Sequence, residues 1–525
     1  MSKEFGEKIR EIRKKNNLTQ TDLAFALGYS DKSMIAHIEN GDNEMSNDKI
    51  SLLIEKYNID ANELFKKEEN PLNNISREQK IYELSLIWRE AKYNFAFWDK
   101  FDSSFDFDNE YKSALSRVLK TNNLYDYYLE LKRFLALLKD GHTGVLFPKA
   151  IYESSEYGSK LPISIEYING EYVITNVKSI VKDKILRFSV IKKIDGIDIR
   201  EYIAEKIYPY IWHEKEDSSS GLVIEFLRNG ALGSKLELQL SYDGKEYEVE
   251  VSRSKGDTDW VYEDVSLKLE EMNQVFSSKT HKIYFTADNI AVIKIESFAY
   301  DEFKDEIFNN YDLLSKAKAF IIDIRDNDGG NSTNGDYLAS LFIGDRFVNG
   351  NDYYPIYIGA YKAWGKSLGF MNMQYEEFIK KYDGNSWYEK IYKICNNCYF
   401  EHSQDFTSIE GVPGVLKGPI TILISPKTAS AAEDFVNVMK SYTDSVLIGS
   451  STFGSTGQPL TIDLESGGAF RICTCKCLSL NDKDFINYGF KPDIECYLTI
   501  DDLKNNNDSI MRKALHEIRK QITWL

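Results

Sequence analysis

The chain has 525 residues, which at about 150 residues per domain predicts roughly three domains. Its content of 42% hydrophobic and 13% aromatic residues excludes a disordered chain. The net charge of −17 excludes a generally cationic nucleic-acid coat protein, although it leaves room for a local basic face. There is no apolar run of about 18 residues and no apolar signal segment near the start. We therefore expect a cytoplasmic protein with no membrane partner.

Residues 1–68 predict a small domain of short amphipathic helices, because apolar residues recur at steps of three and four. Thr19 stands where a helix N-cap is needed, and Asp22 follows as a capping-box partner. Gly28 then ends that helix, which gives the order helix, glycine-containing turn, helix. This order is typical of a helix-turn-helix domain.

The segment 18–41 resembles the Cro/repressor-type DNA-binding domain. The resemblance implies that Thr19 and Gln20 lie at the DNA and that residues 31–39 form the helix that enters the major groove. The reading end of that helix is then formed by Asp31, Lys32 and Ser33. Duplex DNA is the implied partner, and useful affinity requires a homodimer. The alternative is that these helices form a protein-docking bundle.

Three further regions follow the helical head. Residues 69–79 read as a charged linker with Pro71, and residues 80–150 as a helical bundle. Residues 151–275 are β-rich, with hairpin turns expected at Asn169-Gly170 and Asp243-Gly244. This region resembles a degenerate PDZ-like domain, although it lacks the usual Gly-Leu-Gly-Phe loop that captures a free C-terminus.

The helical bundle ends in Asp140-Gly141-His142-Thr143. His142 lies beyond the last helix in a glycine-flanked turn, which predicts an exposed and mobile setting unlike that of a core histidine. Asp140 and Thr143 are close enough in sequence to hydrogen-bond locally. His142 is therefore a candidate catalytic base.

Residues 276–525 predict an α/β region in which apolar strands run into loops and helices. The strand that starts at Ala319 leads to Gly329 and Gly330, whose N–H groups are candidates for an oxyanion hole. A second strand leads to Ser430, with Glu433 three residues later. From the residues alone, Ser430 is either a nucleophile or the N-cap of a capping box completed by Glu433.

Five segments together resemble the tail-specific, or C-terminal-processing, serine protease family, whose relatives include the tricorn core protease. They are residues 140–143, 323–330, 428–434, 452–458 and 489–495. The resemblance implies a crotonase-like α/β protease core with Ser430 as nucleophile and an acyl-enzyme mechanism that needs no cofactor. It also implies that Gly329, Gly330 and Ala431 supply the oxyanion N–H groups.

One departure from the family decides the expected base. The lysine that the processing proteases pair with their serine would fall at Ser455, so that dyad is excluded at its usual place. Lys427 precedes the nucleophile on the opposite side of the turn and is discounted. The tricorn-like branch uses a histidine instead, which corresponds to His142. The expected supporting residues are Asp140, Glu433, Ser455 and Gln458.

The acidic partner of His142 stays open between Asp140, Asp484 and Asp493.

The six cysteines are too few for a disulfide scaffold, and the Cys395/Cys398 pair with Cys473, Cys475 and Cys477 raises the question of zinc. The last three alternate along one predicted strand and therefore face one side of a sheet, where tetrahedral closure is awkward. We expect buried thiols and no metal.

The sequence thus predicts a multidomain protein that joins a DNA-binding head to a serine endopeptidase acting on a protein or peptide substrate. Its cleavage would be coupled to sequence-specific DNA binding and transcriptional regulation. The alternative is a transcriptional regulator whose inactive protease fold senses peptides. A third reading is an active protease that a docking head localises.

Overall fold

The computed structural model describes residues 3–57, 59, 75–102, 104–154, 157–212, 214–255, 259–263, 272–403, 406–407, 412–480 and 485–524. It divides into two compact units, residues 1–74 and residues 75–525. No helix among the described residues is long and apolar enough to cross a membrane.

The first unit is helical, as the apolar spacing predicts. Its described helices are α1 (Lys3–Lys15), α2 (Gln20–Ala26), α3 (Ser33–Glu39) and α4 (Asn47–Tyr57). Thr19 caps α2 in a reciprocal capping box with Asp22, and Gly28 follows that helix with a left-handed φ of 71°. Leu23, Ile35 and Ile38 are fully or almost fully buried in the core that these helices share. The predicted helix-turn-helix arrangement is therefore present.

The expected start of the second helix of this pair was wrong by two residues. The helix begins at Ser33 rather than at Asp31, because the Asp31 carboxylate accepts a hydrogen bond from the Ser33 N–H. An aspartate that bonds two residues ahead holds the chain in a turn just before the helix. The predicted linker residues 69–74 lie outside the described residues.

The second unit opens with three helices and a short strand. They are α5 (Arg77–Asn94), α6 (Phe107–Val118), α7 (Leu124–Ala136) and β1 (Gly144–Leu146). The buried carboxylate of Glu83 on α5 accepts hydrogen bonds from Tyr127 Oη and from both the N–H and the hydroxyl of Ser466. This network ties the helices to a hairpin of the protease region. It thereby fixes the turn that carries His142.

The β-rich region contains antiparallel strands, two longer helices and one short helix. They are α8 (Lys149–Glu153), β2 (Ser159–Lys160), β3 (Ile163–Ile168), β4 (Glu171–Val177), β5 (Val190–Ile194), β6 (Ile197–Asp198), α9 (Ile199–Lys206), α10 (Glu216–Arg228), β7 (Asn229–Gly230), β8 (Lys235–Tyr242) and β9 (Lys245–Ser252). Both predicted hairpin turns are confirmed, since Asn169-Gly170 and Asp243-Gly244 have positive φ at both positions.

The α/β core is a seven-stranded sheet with the order β10-β11-β12-β13-β18-β19-β23. Its strands are β10 (Met272–Ser277), β11 (Lys282–Thr286), β12 (Ile290–Lys294), β13 (Ala319–Asp323), β18 (Ile420–Ile424), β19 (Val446–Gly449) and β23 (Ile494–Glu495). The last five run parallel, and β13 and β18 are buried along their whole length. Burial on both faces explains their uninterrupted apolar sequences.

Helices cover this sheet. They are α11 (Phe303–Asn309), α12 (Tyr311–Leu314), α13 (Ser332–Ile343), α17 (Ala431–Tyr442) and α19 (Ser509–Trp524), whereas α18 (Ile500–Lys504) packs Leu503 against Ile168 and Val173 of the β-rich region. One apolar core contains α13 and α17, and a second contains α19, which contacts β13, β18 and β19. The helices follow the parallel strands in sequence, as crossover connections require.

A segment of about 75 residues separates α13 from β18. Its described elements are β14 (Phe347–Val348), β15 (Asn351–Pro355), α14 (Gly359–Ser367), α15 (Tyr375–Tyr382), α16 (Ser386–Cys395), β16 (Phe400–Ser403) and β17 (Phe406–Thr407). We call residues 344–418 the insert. Its helices bury Phe370, Phe378 and Ile391 in a small cluster of their own.

The remaining strands are β20 (Pro459–Asp463), β21 (Ala469–Cys473) and β22 (Lys476–Leu478). The prediction of one strand through Cys473, Cys475 and Cys477 was wrong. The chain leaves one sheet after Cys473, where β21 pairs with β1 and β20, and enters another at Lys476, where β22 pairs with β15 of the insert. The Thr474 N–H and hydroxyl both bond to the Gln458 carbonyl, which holds the chain at this change of sheets.

Candidate active site and nucleic-acid interface

Three loops meet at the carboxyl edge of the parallel sheet. The loop after β13 carries Gly329 and Gly330, the loop after β18 carries Ser430, and the loop after β19 carries Ser455. The carboxyl ends of parallel strands share one edge, so residues far apart in sequence become neighbours there. His142 reaches the same place from the turn between α7 and β1.

Ser430 has an unusual backbone conformation, with φ 54° and ψ −126° immediately before α17. Such a conformation is strained for a residue with a side chain and is often found at functional sites. The Ser430 N–H donates to the Ser455 carbonyl at 3.0 Å, while its own carbonyl accepts from the N–H of Glu433. These bonds hold the strained turn and aim the hydroxyl out of the strand-to-helix corner, as in a nucleophile elbow.

The capping-box alternative for Ser430 was wrong. The serine hydroxyl makes no capping hydrogen bond to α17. The Glu433 side chain, which would complete such a box, bonds instead to residues 452–455. The hydroxyl of Ser430 is therefore left for another partner.

That partner is His142. Its Nε2 lies 3.2 Å from Ser430 Oγ and its Nδ1 lies 2.5 Å from Ser455 Oγ. When Nδ1 carries the proton and donates it to Ser455, Nε2 is free to accept the proton of Ser430. The serine that replaces the family's lysine thus orients the imidazole, and all three side chains form one continuous chain.

Gly141 explains how Ser455 comes so close to the imidazole. A Cβ at Gly141 would lie 2.5 Å from Phe453 Cε1 and 2.9 Å from Ser455 Cβ, which is closer than carbon atoms pack. A larger residue at this position would therefore separate the His142 turn from the Ser455 loop. Trp212 of the β-rich region packs against Phe453, with ring centroids 5.1 Å apart and the ring planes tilted by 60°, and supports the same loop.

His142 is partly buried, so the expected exposed setting was wrong. Burial lowers the pKa of His142, whereas the neighbouring Asp140 carboxyl raises it and Arg471 lowers it further; the net direction is downward. Burial in turn raises the pKa of Asp140, against the opposing effects of His142, Thr143 and Lys100. The imidazole is therefore neutral at neutral pH, as a general base must be.

Asp140 is the carboxyl whose charge raises the pKa of His142. It is 3% exposed, and His142 is the charged group that most strongly opposes its shift. Asp493 is engaged elsewhere, because its carboxylate accepts from Lys440 Nζ and the Leu447 N–H. Asp484 lies outside the described residues. Lys427 points away from the site, since its Nζ bonds to Asp326.

One of the three N–H groups expected to form an oxyanion hole is already engaged. The Gly329 N–H donates to Asn327 Oδ1 at 2.9 Å, so it is not available to a substrate oxygen. Within the described part of the chain, the N–H groups of Gly330 and Ala431 have no hydrogen-bond acceptor. Gly329 contributes space instead, because a Cβ there would lie 2.7 Å from Ser430 Cβ and 3.0 Å from the Ala431 nitrogen. No separate sequence signal indicates this role of Asn327, although the residue belongs to the same glycine-rich motif.

Two carboxyl groups on the first turn of α17 accept hydrogen bonds from the loop that carries Ser455. Glu433 is fully buried and accepts from Thr452 Oγ1 and from the N–H groups of Gly454 and Ser455. Burial raises its pKa to about 8 in spite of these bonds. Asp434 accepts from Thr456 and Ser332, and burial raises its pKa to about 6. Gln458, in contrast, is exposed, and no hydrogen bond joins its side chain to the described catalytic groups.

The first unit presents its own candidate interface at α3. Lys32 and Ser33 are exposed at the start of this helix, and the Asp31 carboxylate accepts from the Ser33 N–H in the turn before it. Gln20 is partly buried and its Nε2 donates to Glu39 Oε2 at 2.9 Å. The structure therefore groups Lys32 and Ser33 on one open face, while it ties the Gln20 amide to α3.

Arg10 and Arg13 do not belong to that open face. The fully buried Glu39 carboxylate accepts from Arg13 Nε at 2.5 Å and from Arg10 Nε at 3.3 Å. Burial alone would raise the pKa of Glu39, but Arg13, Gln20 and Arg10 together hold it below its usual value. These arginines stabilise the packing of α1 on α3.

Comparison with known proteins agrees with both units. Residues 289–496 match the model of Peptidase family S41, and residues 9–64 match that of Helix-turn-helix. No curated protein matches the chain.

Solved structures of mature CPAF share the fold. In its complex with lactacystin, CPAF superposes with a TM-score of 0.63 at 14% identity, over 85% of this chain and 99% of the other. A second structure of mature CPAF gives a TM-score of 0.61 at 14% identity, over 85% of this chain and 98% of the other. The photosystem II D1 C-terminal processing protease gives a TM-score of 0.41 at 15% identity, over 81% of this chain and 94% of the other.

The fold and the site define a serine-peptidase-like α/β core joined to a DNA-binding-type head. Residues 289–496 are a peptidase family S41 domain, and residues 9–64 are a helix-turn-helix domain.

Proposed function

We propose that this protein is a serine endopeptidase whose nucleophile is Ser430 and whose general base is His142. The observation that carries the proposal is the chain of contacts from Ser430 Oγ through the His142 imidazole to Ser455 Oγ, at 3.2 and 2.5 Å. The strained backbone at Ser430 supports it, since such strain is retained where function depends on it.

Each group has one role in the reaction. Ser430 Oγ attacks the peptide carbonyl carbon while its proton moves to His142 Nε2. The carbonyl oxygen gains charge and accepts from the N–H groups of Gly330 and Ala431, the latter at the positive end of α17. The imidazolium then gives its proton to the leaving amine. Water next attacks the acyl carbon while its proton moves to His142 Nε2, and Ser430 Oγ leaves and regains that proton. Ser455 holds the ring, and Asp140 stabilises its positive charge.

The rest of the chain suggests how the peptidase is used. We propose that the β-rich region, as a PDZ-like module, presents the substrate to a crotonase-like core, because Trp212 packs on the Phe453 loop. The helix-turn-helix head binds duplex DNA as a homodimer in the cytoplasm and couples cleavage to transcription. The exposed Lys32 and Ser33 on α3 support this second activity.

A fluorophosphonate probe tests the peptidase directly, because it labels only an activated serine. The full-length protein should be labelled and should cleave casein, and Ser430→Ala should abolish both. His142→Ala should lower the labelling rate by about 10³-fold or more, and the double variant should be no worse than either single one. Ser455→Ala should cost about 10- to 100-fold, since it removes only the group that orients the ring.

Two exposed residues provide matched controls. Ser315→Ala and His516→Ala remove the same side chains far from the site and should leave labelling unchanged. If the wild-type protein resists the probe and cleaves nothing while peptides still alter its DNA affinity, the inactive peptide sensor is the correct reading. If His142→Ala keeps full activity, another group is the base.

A further inference from the structure

Three potential metal ligands converge where the insert meets the protease core. Strands β15 and β22 pair antiparallel, and Asp352 lies directly opposite Cys477. Cys475 lies two residues before Cys477, and their sulfur atoms are 3.5 Å apart. All three ligand atoms lie within 4.8 Å of one another.

These distances suit one tetrahedral ion. Two thiolates bound to the same Zn²⁺, each at about 2.3 Å, have their sulfurs about 3.8 Å apart, which needs a shift of only a few tenths of an ångström here. The third ligand is a carboxylate oxygen of Asp352 on the facing strand, so the three ligand atoms approach the ion from both strands. The objection to a metal site assumed one continuous strand of cysteines, and that strand is interrupted after Cys473.

The carboxyl groups at this place interact with few cations: Lys304 lowers the pKa of Asp336, against the larger effect of burial. None of the ion pairs among the described residues includes Asp336, Asp352 or Asp434. Asp336 and Asp352 each add to the burial that raises the pKa of Asp434. Lys476, between the two cysteines, bonds instead to Asp99 at 2.5 Å.

Tyr354 borders the same site. Its Oη lies 3.5 Å from Asp352 Oδ2.

We propose that Asp352, Cys475 and Cys477 bind one zinc ion that fastens the insert to the protease core. Two sulfurs and one carboxylate oxygen form a donor set that favours zinc over calcium or magnesium. On binding, both thiols lose their protons to solvent and the carboxylate binds as its anion, so that the ion and its three ligands together carry a single negative charge. The fourth ligand is water.

The position of this site gives it a structural consequence. The Cys473 N–H bonds to Thr143 Oγ1, next to His142, and a Cβ at Gly457 would lie 2.5 Å from Cys473 Sγ. The segment 473–477 thus connects the proposed ion with both the His142 turn and the loop that carries Ser455. Loss of the ion should loosen the insert first.

Elemental analysis of the full-length protein, expressed with zinc and purified without chelator, tests the proposal. We expect about one zinc per chain that survives dialysis, and the same content in Ser430→Ala, which makes the result independent of peptidase activity. Cys475→Ser and Cys477→Ser should each lose most of the zinc, and Asp352→Asn should bind it at least tenfold more weakly. Cys496→Ser is the matched control and should keep it.

Cobalt provides a second measurement that needs no variant. Addition of Co²⁺ to protein stripped by chelator should produce sulfur-to-cobalt charge-transfer absorption and raise the temperature of unfolding. Less than about a tenth of a zinc per chain without such absorption would overturn the proposal. Zinc that persists in the Cys475→Ser/Cys477→Ser double variant, or that is lost in Cys398→Ser, would overturn it as well, since the latter would place the metal at Cys395 and Cys398.

Discussion

At the scale of single residues, the site depends on Ser430 and on the groups that hold it in an unfavourable conformation. A side-chain residue with φ 54° and ψ −126° costs about 1–3 kcal/mol, which the surrounding hydrogen bonds must offset. The backbone bond from Ser430 to Ser455 does so and also sets the distance between the two hydroxyls that flank His142. Nucleophile and ring are therefore positioned by the same contact.

Below neutral pH, the pH dependence of probe labelling is set by the protonation of His142. Only the neutral imidazole accepts a proton, and burial lowers its pKa below 6.5, so the probe-labelling rate should stay high at neutral pH and fall only as the pH drops below that value. Asp140 raises the pKa of His142. Asp140→Asn should therefore move the fall to lower pH and lower the plateau by about tenfold.

Asp326→Asn is the matched control for that profile, because Asp326 is an exposed carboxylate paired with Lys427. Its profile should coincide with that of the wild-type protein. If the midpoint stays in place in Asp140→Asn, Asp140 is not the acidic partner of His142.

At the scale of elements, the carboxyl end of β13 is joined to the start of α19 by a buried ion cluster. Arg325 bonds to both oxygens of Asp323 and to both of Asp508. Burial would raise the pKa of Asp323, but Arg325 outweighs it and holds the pKa below its usual value. The cluster keeps α19 against the sheet just below the glycine loop of the site.

We expect Arg325→Met to lower the free energy of unfolding of residues 75–525 by about 3–5 kcal/mol at pH 7, because it leaves two buried carboxylates unpaired. The pKa of Asp323 is depressed in the folded protein, so the stabilisation is present above its unfolded pKa and is lost as the pH falls through the folded pKa. The difference from the wild-type protein should therefore shrink in acid. Urea unfolding at several pH values measures it.

Arg519→Met is the control for this substitution, since the Arg519 pair with Asp288 is about 40% exposed on both sides. An exposed pair contributes at most about 1 kcal/mol. Equal losses for Arg325→Met and Arg519→Met would contradict the argument from burial.

At the scale of the whole molecule, a helix-turn-helix domain and a peptidase domain of family S41 occur on one chain. The two have separate apolar cores and form separate compact units. The net charge of −17 makes DNA binding depend on a few exposed cations rather than on the average surface.

Lys32→Ala in the full-length protein should weaken duplex binding several-fold and reduce the slope of log affinity against log salt by about one. Lys32 is exposed at the start of α3, whereas Arg13 is engaged with Glu39. Gel-shift titrations on a genomic fragment pool at several salt concentrations provide the measurement. Lys182→Ala, an exposed lysine of the second unit, should change neither value.

Absence of DNA binding at low salt would favour the docking bundle. A Lys32→Ala protein with unchanged affinity and salt slope would remove α3 from the interface.

The amino-acid sequence alone is enough to predict the elements whose signals are local. Helix spacing and the Thr19 capping box predicted the head, and the Asn-Gly and Asp-Gly turns predicted the hairpins. Strand-to-loop patterns also indicated Ser430 and the glycine loop. Each of these signals depends on neighbours within a few residues, so no knowledge of the tertiary structure was needed.

Only the tertiary structure decided which distant side chains meet. His142 and Ser455 are 313 positions apart, yet the close approach at Gly141 places them in contact. The engagement of the Gly329 N–H by Asn327 and the change of sheets after Cys473 are likewise set by packing. Local patterns carry no information on such pairings, because the free energy that fixes them comes from burial and hydrogen bonds between segments that fold against one another.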